Sequence, residues 1–273
     1  MGTLYVVATP IGNLEDMTLR AVRILREARL IAAEDTRTTR KLLTHFDIHT
    51  PLTSYHEYTD PAKIAHLVDR LAEGDIALVS EAGMPAISDP GAPLVQAAIA
   101  AGYPVVPVPG PSAILAALAV SGLPTATFLY LGFLPRRPAD RRAALAAVAA
   151  LPHTLVLFES PHRLRDALDD LLTVLGDRPV ALARELTKLH EEVWRGTLAQ
   201  AIARYTEQEP RGEFTLVIGG APPQDTTWDE QRVRAAVTEA VAAGRRSKET
   251  ARAIAQQAGW TPKAVYQMLL DQD

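Results

Sequence analysis

Apolar runs of strand length alternate with helix-length patterns from Leu4 to Ile218, and that alternation restricts the fold more than any other feature of the chain. Strands are predicted over 4–8, 30–33, 76–79, 105–108, 128–132, 154–158, 180–184, 191–194 and 214–218. Helices are predicted between them, over 18–28, 38–45, 61–73, 93–101, 112–120, 139–150, 161–175 and 198–205. Strands separated by helices form α/β layers, here predicted to be mainly parallel. Turn-rich links at Ser121-Gly122-Leu123-Pro124 and at Gly219-Gly220-Ala221-Pro222-Pro223-Gln224-Asp225 divide the chain into segments 1–121, 122–222 and 223–273. The last segment is polar and wholly helical. One helix runs to about Ala258, Gly259 allows a positive-φ stop, and Pro262 occupies the first turn of the next helix. Ala255 is small enough for the two helices to cross closely, and Val265 and Met268 supply the apolar face of the second. This is helix-turn-helix spacing, which serves nucleic-acid binding and plain packing alike.

Composition removes several classes of function. The 273 residues include no cysteine, so disulfides and cysteine-ligated metal centres are excluded. His45 and His49 lie four apart, but a proline follows and they read as solvated; no metal site is expected. Met1-Gly2-Thr3-Leu4-Tyr5-Val6-Val7-Ala8 reads as a strand opening and not as a signal peptide. No run approaches the ~18 apolar residues of a membrane span, so a cytoplasmic protein is expected. A net charge of −4 argues against sequence-blind coating of nucleic acid. Local basic surface remains at Arg37, Arg40 and Lys41, at Arg136, Arg137, Arg141 and Arg142, and at Arg245, Arg246 and Lys248.

The loops after the strands carry the chemistry. The strand over 76–79 empties into Ser80-Glu81-Ala82-Gly83-Met84-Pro85-Ala86-Ile87-Ser88-Asp89-Pro90-Gly91, and that over 105–108 into Pro109-Gly110-Pro111-Ser112-Ala113. Glycine permits close backbone approach and proline fixes a loop in advance. In open α/β sheets, ligands sit at the carboxyl ends of strands. Neither a G-x-G-x-x-G fingerprint nor a phosphate-binding lysine loop nor a G-x-S-x-G elbow is present, and Ser112 falls where a helix N-cap belongs. Few basic side chains line these loops. They suit a ligand with an adenosine, a cationic centre and an amino-acid tail better than a triphosphate.

These loops, with Pro10 after the first strand, resemble the tetrapyrrole methylase superfamily. The fuller set comprises Ala8-Thr9-Pro10-Ile11-Gly12-Asn13-Leu14-Glu15-Asp16, Ala33-Glu34-Asp35-Thr36-Arg37, the loop over 80–91, Phe158-Glu159-Ser160-Pro161-His162-Arg163, Arg184-Glu185-Leu186-Thr187-Lys188 and Gly212-Glu213-Phe214. It resembles the bacterial branch that methylates a cytidine ribose 2′-hydroxyl in the decoding centre of 16S rRNA. In that branch the long loop usually reads Asp-Ala-Gly-Thr-Pro, where this chain has Glu81-Ala82-Gly83-Met84-Pro85; the carboxylate is kept and its reach changes.

The resemblance, which covers residues 4 to about 220, implies two α/β domains with S-adenosylmethionine in the cleft between them, a homodimer, and 16S rRNA or the 30S subunit as partner; the small helix-turn-helix-like C-terminal module is read from its own spacing. By motif position it places Pro10, Ile87, Ser88, Asp89, Ser112 and Ala113 against the cofactor, with Glu159 and Leu186 across the cleft. Glu81 and Asp89 could serve a sulfonium, which offers no hydrogen-bond donor. Methyl transfer is an in-line displacement governed by positioning, and a weakly acidic ribose hydroxyl profits from a base or from a cation that stabilises the alkoxide. Lys188 is the first choice for that cation, with Glu185 orienting it and Asp35 and Arg37 facing the same cleft. Arg136, Arg137, Arg141 and Arg142 are expected on RNA phosphates, and the C-terminal module on RNA or the subunit. The alternatives are a relative acting on a small-molecule or protein acceptor, and a helix-turn-helix regulator whose α/β body senses a nucleotide.

Overall fold

A computed structural model describes residues 2–222, 227–245 and 247–271. Residues Met1–Ala221 form one compact unit and Pro222–Asp273 a second. The larger unit holds two five-stranded sheets. In the first, β1 (Leu4–Val7), β2 (Leu30–Ala33), β3 (Leu52–Ser54), β4 (Ile76–Val79) and β5 (Val105–Val108) run parallel in the order β3-β2-β4-β1-β5. Alternate side chains leave each strand on opposite faces, so β2 and β4 must be apolar throughout to fill both. Ile31, Ala33, Ala77 and Val79 pack under α1 (Leu19–Glu27) and α2 (Thr36–His45); Leu30, Ala32, Ile76 and Leu78 pack under α3 (Pro61–Arg70) and α4 (Ala92–Ala100). The helices start where caps allow: Thr18, Asp35 and Asp60 each accept a backbone N–H of the first turn. β3 lies outside the predicted strands because Leu52-Thr53-Ser54 is too short and polar to signal one, and it forms the sheet edge.

The second sheet corrects the expectation of mainly parallel strands. Its order is β6 (Phe128–Phe133), β7 (Thr154–Glu159), β10 (Phe214–Ile218), β8 (Pro179–Arg184), β9 (Glu192–Thr197). Only β6 and β7 pair in parallel; β7·β10, β10·β8 and β8·β9 are antiparallel. The reason is connection length. Residues 185–191 are too few for a parallel crossover, so β9 must turn back along β8. Crossover helices α7 (Pro161–Leu175) and α8 (Leu198–Glu207), with α6 (Pro138–Ala146), cover one face over Leu155, Leu157, Leu182 and Leu216. The other face, with Val156, Ala181, Ala183 and Val217, is covered by α5 (Ala113–Ser121), the helix that leaves the first sheet after β5.

The smaller unit packs α9 (Glu230–Ala242), α10 (Lys248–Ala258) and α11 (Pro262–Leu270) around Val237, Ile254, Ala255 and Val265. Gly259 takes φ 68°, the left-handed stop its position requires, and Pro262 opens α11. Leu269 is the second buried anchor of α11, while Met268 is only partly covered. Of the basic cluster at 245–248, Arg246 lies outside the described residues.

Arg141 requires a correction. It is 3% exposed, and its guanidinium grips the Asp170 carboxylate of α7 at 2.6 Å, so it joins α6 to α7 and cannot reach a phosphate. Arg142 shares that carboxylate at 3.1 Å but stays half-exposed. Removing one member of a buried pair strands the other charge. Arg141→Ala is expected to lower stability in urea unfolding by roughly 3 kcal/mol, the lower end of the usual cost because Arg142 still holds Asp170. A surface arginine would show almost no change.

Candidate active site

Neighbouring strands β4, β1 and β5 all end at one edge of the first sheet, and their loops converge there. Thr9 and Gly83 exchange two backbone hydrogen bonds, at 2.9 and 3.0 Å, which ties the first loop to the second. The second sheet presents a matching edge. Register pairs Phe214 with both Glu159 and Arg184, so the ends of β7 and β8 and the start of β10 lie side by side. Between the two edges lies a cleft of about 820 Å³, a volume that suits a small organic ligand. Across it, Ser88 and Tyr130 of β6 share a hydrogen bond of 2.7 Å. Gly12 explains how closely the edges approach: a Cβ there would sit 2.4 Å from Lys188 Cγ and 3.1 Å from the Leu186 carbonyl oxygen.

Backbone strain gathers at the same place. Five non-glycine residues take positive φ among the described residues, and four of them, Ala86, Ser88, Glu185 and Thr187, belong to the two loops that flank the cleft. Such conformations cost about 1–3 kcal/mol each and persist where surrounding structure holds them.

The cleft is acidic. Glu34, Glu81, Asp89, Glu159 and Glu213 line it. Burial pushes the Glu34, Asp89 and Glu159 carboxyls above the usual carboxylate range. For Glu34 the Glu81 amide opposes the rise and the Asp89 and Glu81 charges add to it; for Asp89 the Ser80 hydroxyl opposes it. Glu159 is 2% exposed. Its Oε1 accepts the Ser160 N–H at 2.8 Å. Its Oε2 lies 3.3 Å from Arg163 and accepts no hydrogen bond among the described residues; the side chain is fully buried, so this carboxylate is held by Arg163 behind the cleft surface.

Among the described residues Lys188 is the one cationic side chain in that wall. Its Nζ donates to Glu185 Oε1 and to Glu213 Oε2, each at 2.9 Å. Burial disfavours its charge, but the two carboxylates outweigh burial and raise its pKa. Glu185 Oε1 also accepts the Glu213 N–H at 3.0 Å, so it is anchored on the start of β10. Burial pulls Glu185 upward, yet that amide and Lys188 leave its carboxyl below the usual range. The result is a fixed ammonium held by two carboxylates at the cleft.

Of the residues singled out from sequence, Glu81, Ile87, Ser88, Asp89, Ser112, Ala113, Glu159, Leu186 and Lys188 line the cleft. Ser112 also caps α5, its hydroxyl accepting the Leu115 N–H. Pro10 is not in the wall; its neighbour Ile11 is. Glu185 stands behind Lys188. Asp35 and Arg37 do not face the cleft, contrary to expectation. Asp35 accepts the Arg37 N–H as N-cap of α2, and the Arg37 guanidinium, on the helix surface, holds that carboxyl down to about 2 together with the N–H bond. Glu34, one residue earlier, takes the place at the cleft. The rule that ligands meet residues just past a strand's carboxyl end marks it, since β2 ends at Ala33. Tyr130, Phe133 and Phe158 form an aromatic wall; of the three, only Phe158 belonged to a motif read from the sequence. Arg136, Arg137 and Arg142 lie away from the cleft wall, with Arg137 3.7 Å from Asp140.

The arrangement admits a ligand that combines flat apolar surface with positive charge, and it disfavours phosphate. Comparisons with known proteins agree. Residues 3–202 match the family model for tetrapyrrole (corrin/porphyrin) methylases. The chain is 50% identical over 270 residues to the ribosomal RNA small subunit methyltransferase I of Halalkalibacterium halodurans, covering 97% of this chain and 93% of that one. It is 47% identical over 274 residues to the protein of the same name from Synechocystis, covering 99% and 98%. Among solved structures, the methyltransferase CobJ superposes with TM-score 0.61 at 20% identity, over 81% of this chain and 95% of that one. Uroporphyrin-III C-methyltransferase from Thermus thermophilus, solved with S-adenosylhomocysteine, superposes with TM-score 0.55 at 22% identity, over 80% and 97%; at that identity the likeness is one of fold. The chain therefore belongs to the tetrapyrrole methylases, in the branch of ribosomal RNA small subunit methyltransferase I.

Proposed function

We propose that this methyltransferase moves a methyl group from S-adenosylmethionine to the ribose 2′-hydroxyl of a cytidine in the decoding centre of bacterial 16S rRNA. The coarser statement, methylation of ribosomal RNA, follows the relatives that match almost the whole chain. The choice of a sugar hydroxyl rests on one structural observation: a fixed ammonium, Lys188, which among the described residues is the one cation in a wall of carboxylates, hydroxyls and apolar side chains.

The cleft fits the donor. Loop residues Ile87, Ser88, Asp89, Ser112 and Ala113 offer backbone and hydroxyl groups to it, and the aromatic wall offers a flat apolar surface. The acidic lining suits a sulfonium. S-adenosylmethionine supplies an electrophilic methyl group on that sulfur. Lys188, kept charged, is no base; it stabilises negative charge growing on the sugar oxygen, and Glu185 and Glu213 keep it in place. Glu34 and Asp89, whose proton affinity burial raises, are the carboxylates suited to receive the hydroxyl proton.

The 30S subunit is the substrate in this reading, and the cytoplasm is the place of work; among the described residues no helix is long and apolar enough to cross a membrane. Arg136, Arg137 and the exposed part of Arg142 are proposed to touch RNA. A homodimer accords with apolar side chains left at the surface outside the cleft, among them Leu19, Ile99 and Leu189.

Mass spectrometry of rRNA nucleosides should show a 2′-O-methylcytidine that disappears with the gene and returns when purified protein acts on 30S subunits lacking it. An unchanged nucleoside profile would overturn the reading. Lys188→Ala should lower single-turnover methylation by about 10²–10³-fold while S-adenosylhomocysteine still binds. The pH dependence has a definite sign. Glu34 and Asp89 ionise above the usual carboxylate range, and a cation binds their ionised forms more tightly. Calorimetric titration should therefore show affinity for S-adenosylmethionine, relative to the uncharged S-adenosylhomocysteine, rising from pH 5 to about pH 7.5.

A further inference from the structure

Arg37, Arg40, Lys41, Thr44 and His45 recur at helical spacing and share the exposed face of α2, while Thr39, Leu42 and Leu43 are buried on its other side. With Leu14 they line a shallow groove of about 570 Å³. Arg40 and Lys41 form no ion pair among the described residues. Among the described residues Arg37 forms an ion pair with Asp35 and also feels the Glu81 charge, and its side chain is 87% exposed. For a chain of net charge −4, this is a concentrated positive strip on one helix.

The strip borders the cleft. Leu14 opens a 3₁₀ turn, Leu14–Asp16, in the loop that follows β1, and Ile11 of the same loop is part of the cleft wall. α2 itself begins two residues after Glu34, which is also in that wall. The two concavities have opposite electrostatics. The cleft sets five carboxylates against one ammonium and repels phosphate; the groove gathers cations around an apolar floor.

A ribose presented to the cleft from within an RNA strand carries a phosphate on each side, and those charges must rest elsewhere. Resting on the proposed function, we propose that the α2 groove is the phosphate track for the RNA strand that flanks the methylated nucleotide. Cations on successive helical turns recur about every 5.4 Å, which suits a ligand with repeated charges. Leu14 offers an apolar surface to a ribose or base. The segment 136–142 serves this purpose less well, because Arg141 is buried, Arg142 is tied to Asp170 and Arg137 lies near Asp140.

The test uses full-length protein and 30S subunits purified from cells lacking the methyltransferase. Arg40→Gln with Lys41→Gln should weaken subunit binding about tenfold and flatten the plot of log affinity against log salt by about 1.5, with S-adenosylhomocysteine affinity and melting temperature unchanged. The charge-preserving pair Arg40→Lys with Lys41→Arg should bind like the parent. Unchanged affinity and salt slope in the glutamine pair would overturn the track, as would equal loss in the charge-preserving pair. If the parent protein neither binds nor methylates the subunits, the proposed function falls and this inference falls with it.

Discussion

The packing of α5 on the second sheet is the contact from which the site follows. Ala117 and Leu118 lie buried against Val156, Ala181, Ala183 and Val217. The same helix is continuous with the loop after β5, so its seat on one sheet fixes how far the other sheet's carboxyl edge stands from it. The helix is apolar on nearly all sides, Ala-Ile-Leu-Ala-Ala-Leu-Ala-Val; one face is buried on the second sheet, while Leu115 and Val120 remain exposed. Burying a leucine such as Leu118 contributes about 1.5–3 kcal/mol, enough to hold edges whose loops carry unfavourable backbone angles. Arg195 reinforces the seat from β9 by donating to the carbonyls of Val120 and Ser121 at the end of α5.

Around that joint, charge is sorted in a way that matches two chemical tasks. Inside, carboxylates that burial makes reluctant to ionise surround a single ammonium, itself clamped by two of its neighbours. Outside, along α2, Arg40 and Lys41 form no ion pair among the described residues, while Arg37 is paired with Asp35. A charged site that is partly desolvated binds opposite charge more strongly than the open surface does, so the cleft selects against the phosphates that the surface attracts. An acidic protein can then engage a polyanion through a small, defined face without coating it.

Much of this was legible in the chain. Parallel strands with both faces covered must be apolar throughout, and 30–33 and 76–79 announce themselves in that way. The loops over 80–91 and 109–113 were legible because glycine and proline restrict what a backbone can do there. Lys188 and Glu185 stood out as a charged cluster just past a strand. The errors have physical causes. Asp35 outranked Glu34 because local sequence does not reveal that an aspartate before a helix is engaged in capping it. Arg141 was grouped with its neighbours because spacing along a helix says which residues share a face, not that Asp170 lies opposite that face.

Sequence alone determined the alternation of strands and helices, the helix stop at Gly259 and the helix start at Pro262, and the chemistry of the cofactor-side loops, since these depend on propensities and spacings within a few residues of one another. Only the tertiary structure decided the antiparallel order of the second sheet, the aromatic wall of Tyr130, Phe133 and Phe158, the Lys188–Glu213 contact across 25 positions, and the meeting of the Ile11–Leu14 loop with α2. Those features join residues far apart in the chain. Their energies depend on which surfaces the fold brings together, and a linear pattern does not encode that.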